Sequence, residues 1–124
     1  MSAFGWIAFV IAAACGAPLR YVVDNVVQDR TRGAFPWGTL TINATGSFLS
    51  GVVAGLTLHH GLAPGVRVVV ATGFLGAFTT FSTFVFETVR LLEEGAVAEA
   101  VRNAMATVVV CATAAAAGLA LASV

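Results

Sequence analysis

Four long uncharged runs dominate the chain, and short charged links separate them. The runs cover Met1–Leu19, Pro36–Leu58, Val68–Phe86 and Asn103–Val124. Each approaches or exceeds the roughly 20 residues that a helix needs to cross the hydrocarbon of a bilayer. Because lipid offers the backbone no hydrogen-bond partner, these runs predict helices. The pattern therefore predicts an all-α membrane protein with one membrane domain over 1–124, its four transmembrane helices spanning approximately 3–22, 36–59, 67–91 and 99–122.

The first run lies where a secretory signal would lie. It lacks the basic segment that precedes the apolar core of such signals, and three comparable runs follow it. We therefore expect it to be kept as the first membrane helix.

Composition supports a membrane setting and argues against a nucleic-acid partner. Hydrophobic residues make up 59% of the chain and charged residues only 10%, whereas soluble domains carry about 25% charged residues. Net charge is zero, and no basic run suits phosphate binding, so no nucleic-acid partner is expected. Cys15 and Cys111 lie in apolar runs, where small packing residues are expected and a disulfide is not.

The basic residues are unevenly divided between the two ends of the predicted bundle. With four spans, the first and third links share one side, and they hold Arg30, Arg32, Arg90 and Arg102, with Arg20 at the boundary. The other side holds Arg67 and the N-terminal amine. The positive-inside rule places the first and third links in the cytoplasm, although the difference is small.

No enzyme signature appears along the chain, and an enzyme is not expected. The only histidines, His59 and His60, are adjacent, so on a helix they point about 100° apart and make a poor metal pair. Asn43-Ala44-Thr45 matches a glycosylation sequon, but it lies within an apolar span, so the match carries no weight.

The third span is too rich in Gly, Thr and Ser for a plain lipid anchor. Its segment GFLGAFTTFSTF, 73–84, combines two glycines with β-branched threonines, which weaken a helix. Composition alone leaves two alternatives open. One is a helix broken at mid-membrane, where freed backbone groups hold an ion. The other is a continuous helix whose hydroxyls bond to the preceding turn.

Polar groups elsewhere in the spans favour a neutral or anionic permeant. Asn43 offers amide donors early in the second span, with Thr39, Thr41 and Thr45 nearby. Arg20, at the end of the first span, either snorkels to the interface or forms an electropositive funnel. Ring edges of Phe81 and Phe84, set among hydroxyls, can line an anion path. No acid lies deep in any run, with Glu87 placed at the end of the third.

Three segments together resemble one family. GAPLRY at 16–21, the TxxxNATGSFLxG stretch at 39–51 and GFLGAFTTFSTF at 73–84 are similar to those of the CrcB/Fluc fluoride channels. The resemblance covers nearly the whole chain. It implies a passive fluoride-selective channel that exports fluoride across the bacterial inner membrane.

The resemblance also implies roles for particular residues. On the fluoride path it places Asn43, Phe81, Phe84, Ser82, Thr83, the vestibule residue Arg20 and, on the fourth helix, Thr107. It implies a third helix broken at its centre and a structural sodium ion held by the backbone carbonyls of Gly76 and Thr79.

The family assembly implied is an antiparallel, dual-topology homodimer with two pores. Dual insertion needs nearly balanced basic links, and this chain leans to one side. A heterodimer with an oppositely biased paralogue is therefore the second expectation.

Two other functions fit a small four-span protein. A small multidrug exporter relies on an acid embedded in the first span, and Met1–Leu19 has none. A non-transporting membrane subunit would use Asn43 and the third-span motif for packing only.

Overall fold

The computed structural model describes residues 1–124 as four helices joined by short links. All four are long and apolar enough to cross a membrane: Ala3–Arg30, Trp37–His59, Pro64–Glu93 and Val97–Leu121. The prediction of an all-helical chain with four membrane-spanning helices is confirmed.

Two helices extend further into the charged links than the predicted spans did. The first continues to Arg30, so Asp24 and Asp29 lie on a helix and not in a loop. The third continues to Glu93, and the Arg90 Nε–Glu94 Oε1 ion pair of 2.8 Å forms across its final turn. Charged residues one turn apart stabilise such helix ends. The charged residues of the first and third links therefore stand largely on helices.

Glycines allow the helices to approach closely in two pairs. The second helix packs along the fourth, where a methyl group on Gly51 or on Gly118 would collide with the facing backbone. The first helix packs on the first half of the third, where a methyl on Gly16 would lie 2.5 Å from the Phe74 carbonyl oxygen. Such small-residue contacts let membrane helices associate by close packing, because the hydrophobic effect does not drive helices together within lipid.

The third helix is composite. It begins as a short α-helix, Pro64–Arg67, widens into a π-helix over Val68–Leu75, and returns to α-helix at Gly76–Phe78. Two extended residues follow, and the second half is the α-helix Phe81–Glu93. Of the two alternatives left open by composition, the interrupted helix is the one found.

The interruption falls at Thr79 and Thr80. Gly76 is helical, with φ −62° and ψ −33°, whereas Thr79 is extended, with φ −76° and ψ 160°. Side chains on neighbouring helices hold the two extended residues, because Arg20 bonds to Thr79 and Asn43 bonds to Thr80.

Large apolar side chains point away from the bundle on the first and fourth helices. Phe4, Ile7 and Val10 on the first and Met105 and Val108 on the fourth each keep more than half of their surface exposed. In a bilayer these faces meet lipid or another chain, as expected for helices without a polar outer face.

Candidate functional site

The interruption of the third helix is the centre of the site, and its second half starts with a threonine cap. Thr80 is extended, with φ −148° and ψ 123°, and its Oγ1 accepts a hydrogen bond of 3.2 Å from the Thr83 backbone N–H. The same hydroxyl donates to Thr83 Oγ1 over 2.9 Å and lies 3.3 Å from Ser82 Oγ. A threonine at this position restarts a helix by satisfying one of its free N–H groups.

Asn43 on the second helix replaces the hydrogen bonds that the break removes. Its Nδ2 donates to the Thr80 carbonyl over 2.8 Å, and its Oδ1 accepts from the Thr80 N–H over 2.8 Å. Both residues are buried, at 7% exposure each. Unpaired backbone groups at this depth are costly, so the carboxamide stabilises the extended conformation. One N–H of the amide remains for a ligand.

Arg20 reaches the interruption from the first helix. Its Nη1 donates to the Thr79 carbonyl over 3.2 Å, and the side chain is half-buried. Of its two predicted behaviours, snorkelling to the interface is not the one seen. A guanidinium is held beside the break, where it contributes positive charge.

A groove of about 370 Å³ opens on one side of the break. It brings together residues of three helices that the sequence had marked separately: Asn43 from the second, Thr79, Thr80 and Phe81 from the third, and Thr107 from the fourth. Its wall combines an amide, hydroxyls and an aromatic ring. Such a surface offers hydrogen bonds to an anion without placing a full positive charge against it.

The two predicted wall phenylalanines lie together, but they differ in exposure. Ring centroids of Phe81 and Phe84 are 5.6 Å apart, with their planes tilted by 50°. Phe81 lines the groove and is 77% exposed, whereas Phe84 is half-buried behind it. The Phe81 ring therefore has one face covered by no other part of the protomer.

Ser82 and Thr83 do not line the groove that Asn43 lines. Thr83 lines a second cavity, on the other side of the break, together with Arg20, Thr39 and Thr80. Ser82 is exposed at the helix surface. Thr80 lines both cavities, so it is the residue at which the two sides of the break meet.

One acidic side chain, Asp24, lines the cavity beside Arg20, and the sequence had not indicated it. The Asp24 carboxylate partly balances the charge of Arg20 there. Asp24 also lines a third cavity, with Gln28, Glu87 and Arg90, that lies toward the first and third links. The cavity beside Arg20 is consequently of mixed charge.

The placement of Glu87 differs from the sequence interpretation. It directly follows the third uncharged run and was not counted as a deep acid, but it is half-buried within the helix Phe81–Glu93. Its Oε1 accepts a hydrogen bond of 2.9 Å from the Thr39 hydroxyl, and its Oε2 is buried with no partner. A half-buried carboxylate thus packs against the second helix, so the argument from missing internal acids loses force.

Two of the threonines near Asn43 take no part in the site. Thr41 and Thr45 donate to the carbonyls of Trp37 and Thr41 on their own helix, over 2.8 and 2.7 Å. The groove contains Ser47 and Ser50 instead, which sequence reasoning did not assign. Their spacing from Asn43, four and seven residues, places them on one helical face and was the available signal.

Thr107 is held in the groove by a buried amide. Its hydroxyl lies 3.5 Å from Asn103 Oδ1, and Asn103 Nδ2 donates to Thr88 Oγ1 over 2.9 Å. Thr88 in turn donates to the Phe84 carbonyl over 2.7 Å. Asn103 is only 1% exposed. A chain of hydrogen bonds thus joins the fourth helix to the backbone behind the phenylalanine pair.

The carbonyls expected to hold sodium have distinct surroundings. The Gly76 carbonyl has lost its usual helical donor, because the Thr80 N–H bonds to Asn43. A methyl on Gly76 would meet only the Ala71 oxygen, at 3.7 Å, so packing within the protomer does not explain a glycine there. The Thr79 carbonyl accepts from Arg20 and has one lone pair left. The oxygen donors fit a hard cation, while the guanidinium beside Thr79 weakens that fit.

A family model and several similar proteins of known name agree with one another. The family model described as CrcB-like protein, Camphor Resistance (CrcB), matches residues 7–119. A protein of Streptomyces avermitilis called fluoride-specific ion channel FluC 1 is 45% identical over 103 residues, 83% of each chain. One of the same name in Frankia casuarinae is 46% identical over 123 residues, 94% of this chain and 95% of the relative. Fluoride-specific ion channel FluC 2 of Mycobacterium tuberculosis is 42% identical over 104 residues, 84% of this chain and 79% of the relative.

Proposed function

This chain belongs to the CrcB-like protein family, and we propose that it is a passive fluoride channel that exports fluoride from the cytoplasm. The similar proteins named above are called fluoride-specific ion channels. The observation that carries the proposal is the groove beside the broken third helix, where Asn43, Thr107 and the Phe81 ring face one another.

The groove has the chemistry that a dehydrating fluoride ion needs. Fluoride is small and strongly hydrated, so a path through the membrane must replace its water with hydrogen-bond donors. The free N–H of Asn43 is such a donor, and the Thr107 hydroxyl becomes one when it releases its 3.5 Å hydrogen bond to Asn103 Oδ1. The edge of the Phe81 ring carries partial positive charge and binds weakly. A path of this kind holds the ion without trapping it, which conduction requires.

The geometry also supports a dimer with two pores. The groove is open on the side facing away from the protomer, and Phe81 is 77% exposed there. An exposed aromatic ring and a buried amide beside it need a covering surface in a membrane. A second copy of this chain in the antiparallel orientation supplies one, and symmetry then gives two equivalent pores.

Orientation in the membrane follows from the basic residues. The excess of basic residues in the first and third links is small, and most of these residues stand on helices. We favour a homodimer inserted in both orientations, with a heterodimer as the alternative. The proposed location is the bacterial plasma membrane.

We further propose a structural sodium ion at the dimer centre, held by the carbonyls of Gly76 and Thr79. When bound, the ion would supply positive charge that offsets the field penalty for an anion in a low-dielectric region. The freed Gly76 carbonyl and the open space above that residue support the proposal. Arg20, which already bonds to the Thr79 carbonyl, contributes positive charge of its own.

The direction of transport follows from acid–base chemistry. Undissociated hydrogen fluoride crosses membranes from acid surroundings and dissociates inside the cell. A passive pore then lets the negative-inside membrane potential drive fluoride outward. No coupling to protons is needed, so Glu87 is not assigned a proton-carrying role here.

Fluoride efflux from liposomes tests the function and separates its rivals. Vesicles loaded with potassium fluoride should release fluoride when valinomycin opens a potassium path, and a proton gradient should leave the rate unchanged. A rate that follows the proton gradient would indicate an exporter. Dimers that release no fluoride would indicate a non-transporting subunit. Either result would refute the channel.

A further inference from the structure

The face of the second helix beyond Asn43 carries two hydroxyls with no partner in the protein. Ser47 and Ser50 line the same groove as Asn43, and neither makes a hydrogen bond within the chain. Ser47 is half-buried and Ser50 is exposed to the groove. Their protons are therefore available to a ligand.

Other hydroxyls of this helix behave differently. Thr41, Thr45 and Thr57 each donate to a carbonyl one turn back on their own helix, over 2.8, 2.7 and 2.7 Å. This is the usual way in which a membrane helix satisfies a hydroxyl. Ser47 and Ser50 depart from it on the face that continues the proposed fluoride path.

The groove continues from Ser50 to a cationic side chain. Ser50 also lines a neighbouring cavity of about 270 Å³, which reaches Thr57 and Arg67 at the far end of the second helix. Arg67 forms no ion pair, whereas Arg90 and Arg102 are each paired with a glutamate. From Asn43 to Thr57 this face extends about 21 Å along the helix. It covers much of the membrane thickness on the side away from Arg20.

We propose that Ser47 and Ser50 form a second anion-binding station and that Arg67 is the basic mouth to which it leads. The ligand is a small monovalent anion, fluoride on the proposed function, on which this inference rests. Two donors about one helical turn apart replace part of the ion's hydration as it leaves Asn43. The unpaired guanidinium raises the local anion concentration at the mouth.

Alanine substitutions of the serines test the station. Ser47→Ala and Ser50→Ala should each lower fluoride flux about tenfold, as expected for one hydrogen bond to an ion, and the double variant should lower it further. The double variant should also raise the fluoride concentration that half-saturates the flux. Thr45→Val is the matched control, because its hydroxyl is already committed to the Thr41 carbonyl and the residue lines neither cavity. A double variant with wild-type saturation, or a control that loses as much flux, would refute the station.

Salt dependence tests the mouth. Arg67→Gln should lower flux about threefold at low ionic strength, and the loss should vanish near 1 M inert salt, where the Debye length is about 3 Å. Arg67→Lys should restore the flux, and Arg32→Gln, which removes an exposed unpaired charge elsewhere, should change little. A loss that persists at high salt, or no loss, would overturn the assignment. A wild-type protein that conducts no fluoride would overturn the proposed function. A wild type that conducts fluoride, with variants that behave like it, would overturn only the station and its mouth.

Discussion

Asn43 and Thr80 exchange two hydrogen bonds, each 2.8 Å long, across the interruption of the third helix. A side chain of one helix thereby substitutes for the backbone of another. The same carboxamide keeps one N–H for the groove. Asn43 is thus structural and ligand-facing at once, and substitutions there should affect stability and flux together.

Asn43→Asp should impair both properties. The carboxylate still accepts from the Thr80 N–H but no longer donates to the Thr80 carbonyl, so two oxygens face each other. We expect a loss of about 1–3 kcal/mol in the free energy of unfolding in detergent and a large loss of fluoride flux. Thr45→Val is the control, since the Thr45 hydroxyl bonds within its own helix. Unchanged flux in Asn43→Asp would remove Asn43 from the path.

Gly46→Ala should distort the break. A methyl at this position would collide with Cγ2 of Thr79, on the first extended residue. Overpacking of this kind costs about 1–3 kcal/mol. Thr79→Ser removes that methyl and should restore part of the stability in the double variant. Gly65→Ala, where nothing lies within 4 Å, should be neutral in the same unfolding assay. A neutral Gly46→Ala would show that the break does not depend on this contact.

Gly76→Ala tests the proposed cation. Within one protomer the added methyl meets only the Ala71 oxygen, at 3.7 Å, so the chain should fold with unchanged helix content by circular dichroism. Across the proposed dimer the methyl narrows the approach to the Gly76 carbonyl. We expect wild-type dimers diluted in detergent to dissociate more readily, at a higher protein concentration, when sodium is replaced by a large organic cation. The variant should dissociate equally in both media, and a retained sodium dependence would contradict the site.

Asn103→Leu should loosen the fourth helix from the phenylalanine pair. Asn103 is 1% exposed and donates to Thr88 Oγ1, which bonds to the Phe84 carbonyl. We expect a stability loss of about 1–3 kcal/mol. Thr88→Val removes the same bond from the other side, so the double variant should cost much less than the sum of the two single variants. Additive losses would show that the bond does not join these helices.

Phe81→Ile should separate conduction from folding. The ring is 77% exposed in the protomer, so its truncation should change stability by less than about 0.5 kcal/mol. Flux should fall strongly, because the ring edge that lines the groove is lost. Phe86→Ile is a matched control on the same helix, also exposed, about 140° around from Phe81. Equal losses in both variants would point to a general effect of losing surface aromatics.

Much of the fold could be predicted because the membrane simplifies the problem. Uncharged runs long enough to span lipid have helix as their stable state, so the number and order of helices followed directly. Helix ends followed less well, because the first helix continues through Asp24 and Asp29 to Arg30, beyond its predicted end near 22. The π-helix Val68–Leu75 had no signal in composition either.

The sequence named candidate residues of the site, but it did not predict how they are arranged in space. The Gly and Thr content of the third span left an interrupted and a continuous helix open, and only the family resemblance implied the interruption. Its position depends on Asn43 and Arg20, which come from other helices. Glu87 looked peripheral because sequence gives distance along the chain, not depth. Ser47 and Ser50 received no role from the sequence, since only coordinates distinguish a free hydroxyl from one bonded to its own helix.

The reversal potential of the current in a planar bilayer tests the central claim most directly. Wild-type protein should conduct between solutions of unequal fluoride and equal chloride and pH, and its current should reverse at the fluoride equilibrium potential. Phe81→Ile should abolish or greatly reduce that current. A current that reverses at the equilibrium potential of protons or of chloride, or a folded dimer with no fluoride current, would contradict the account.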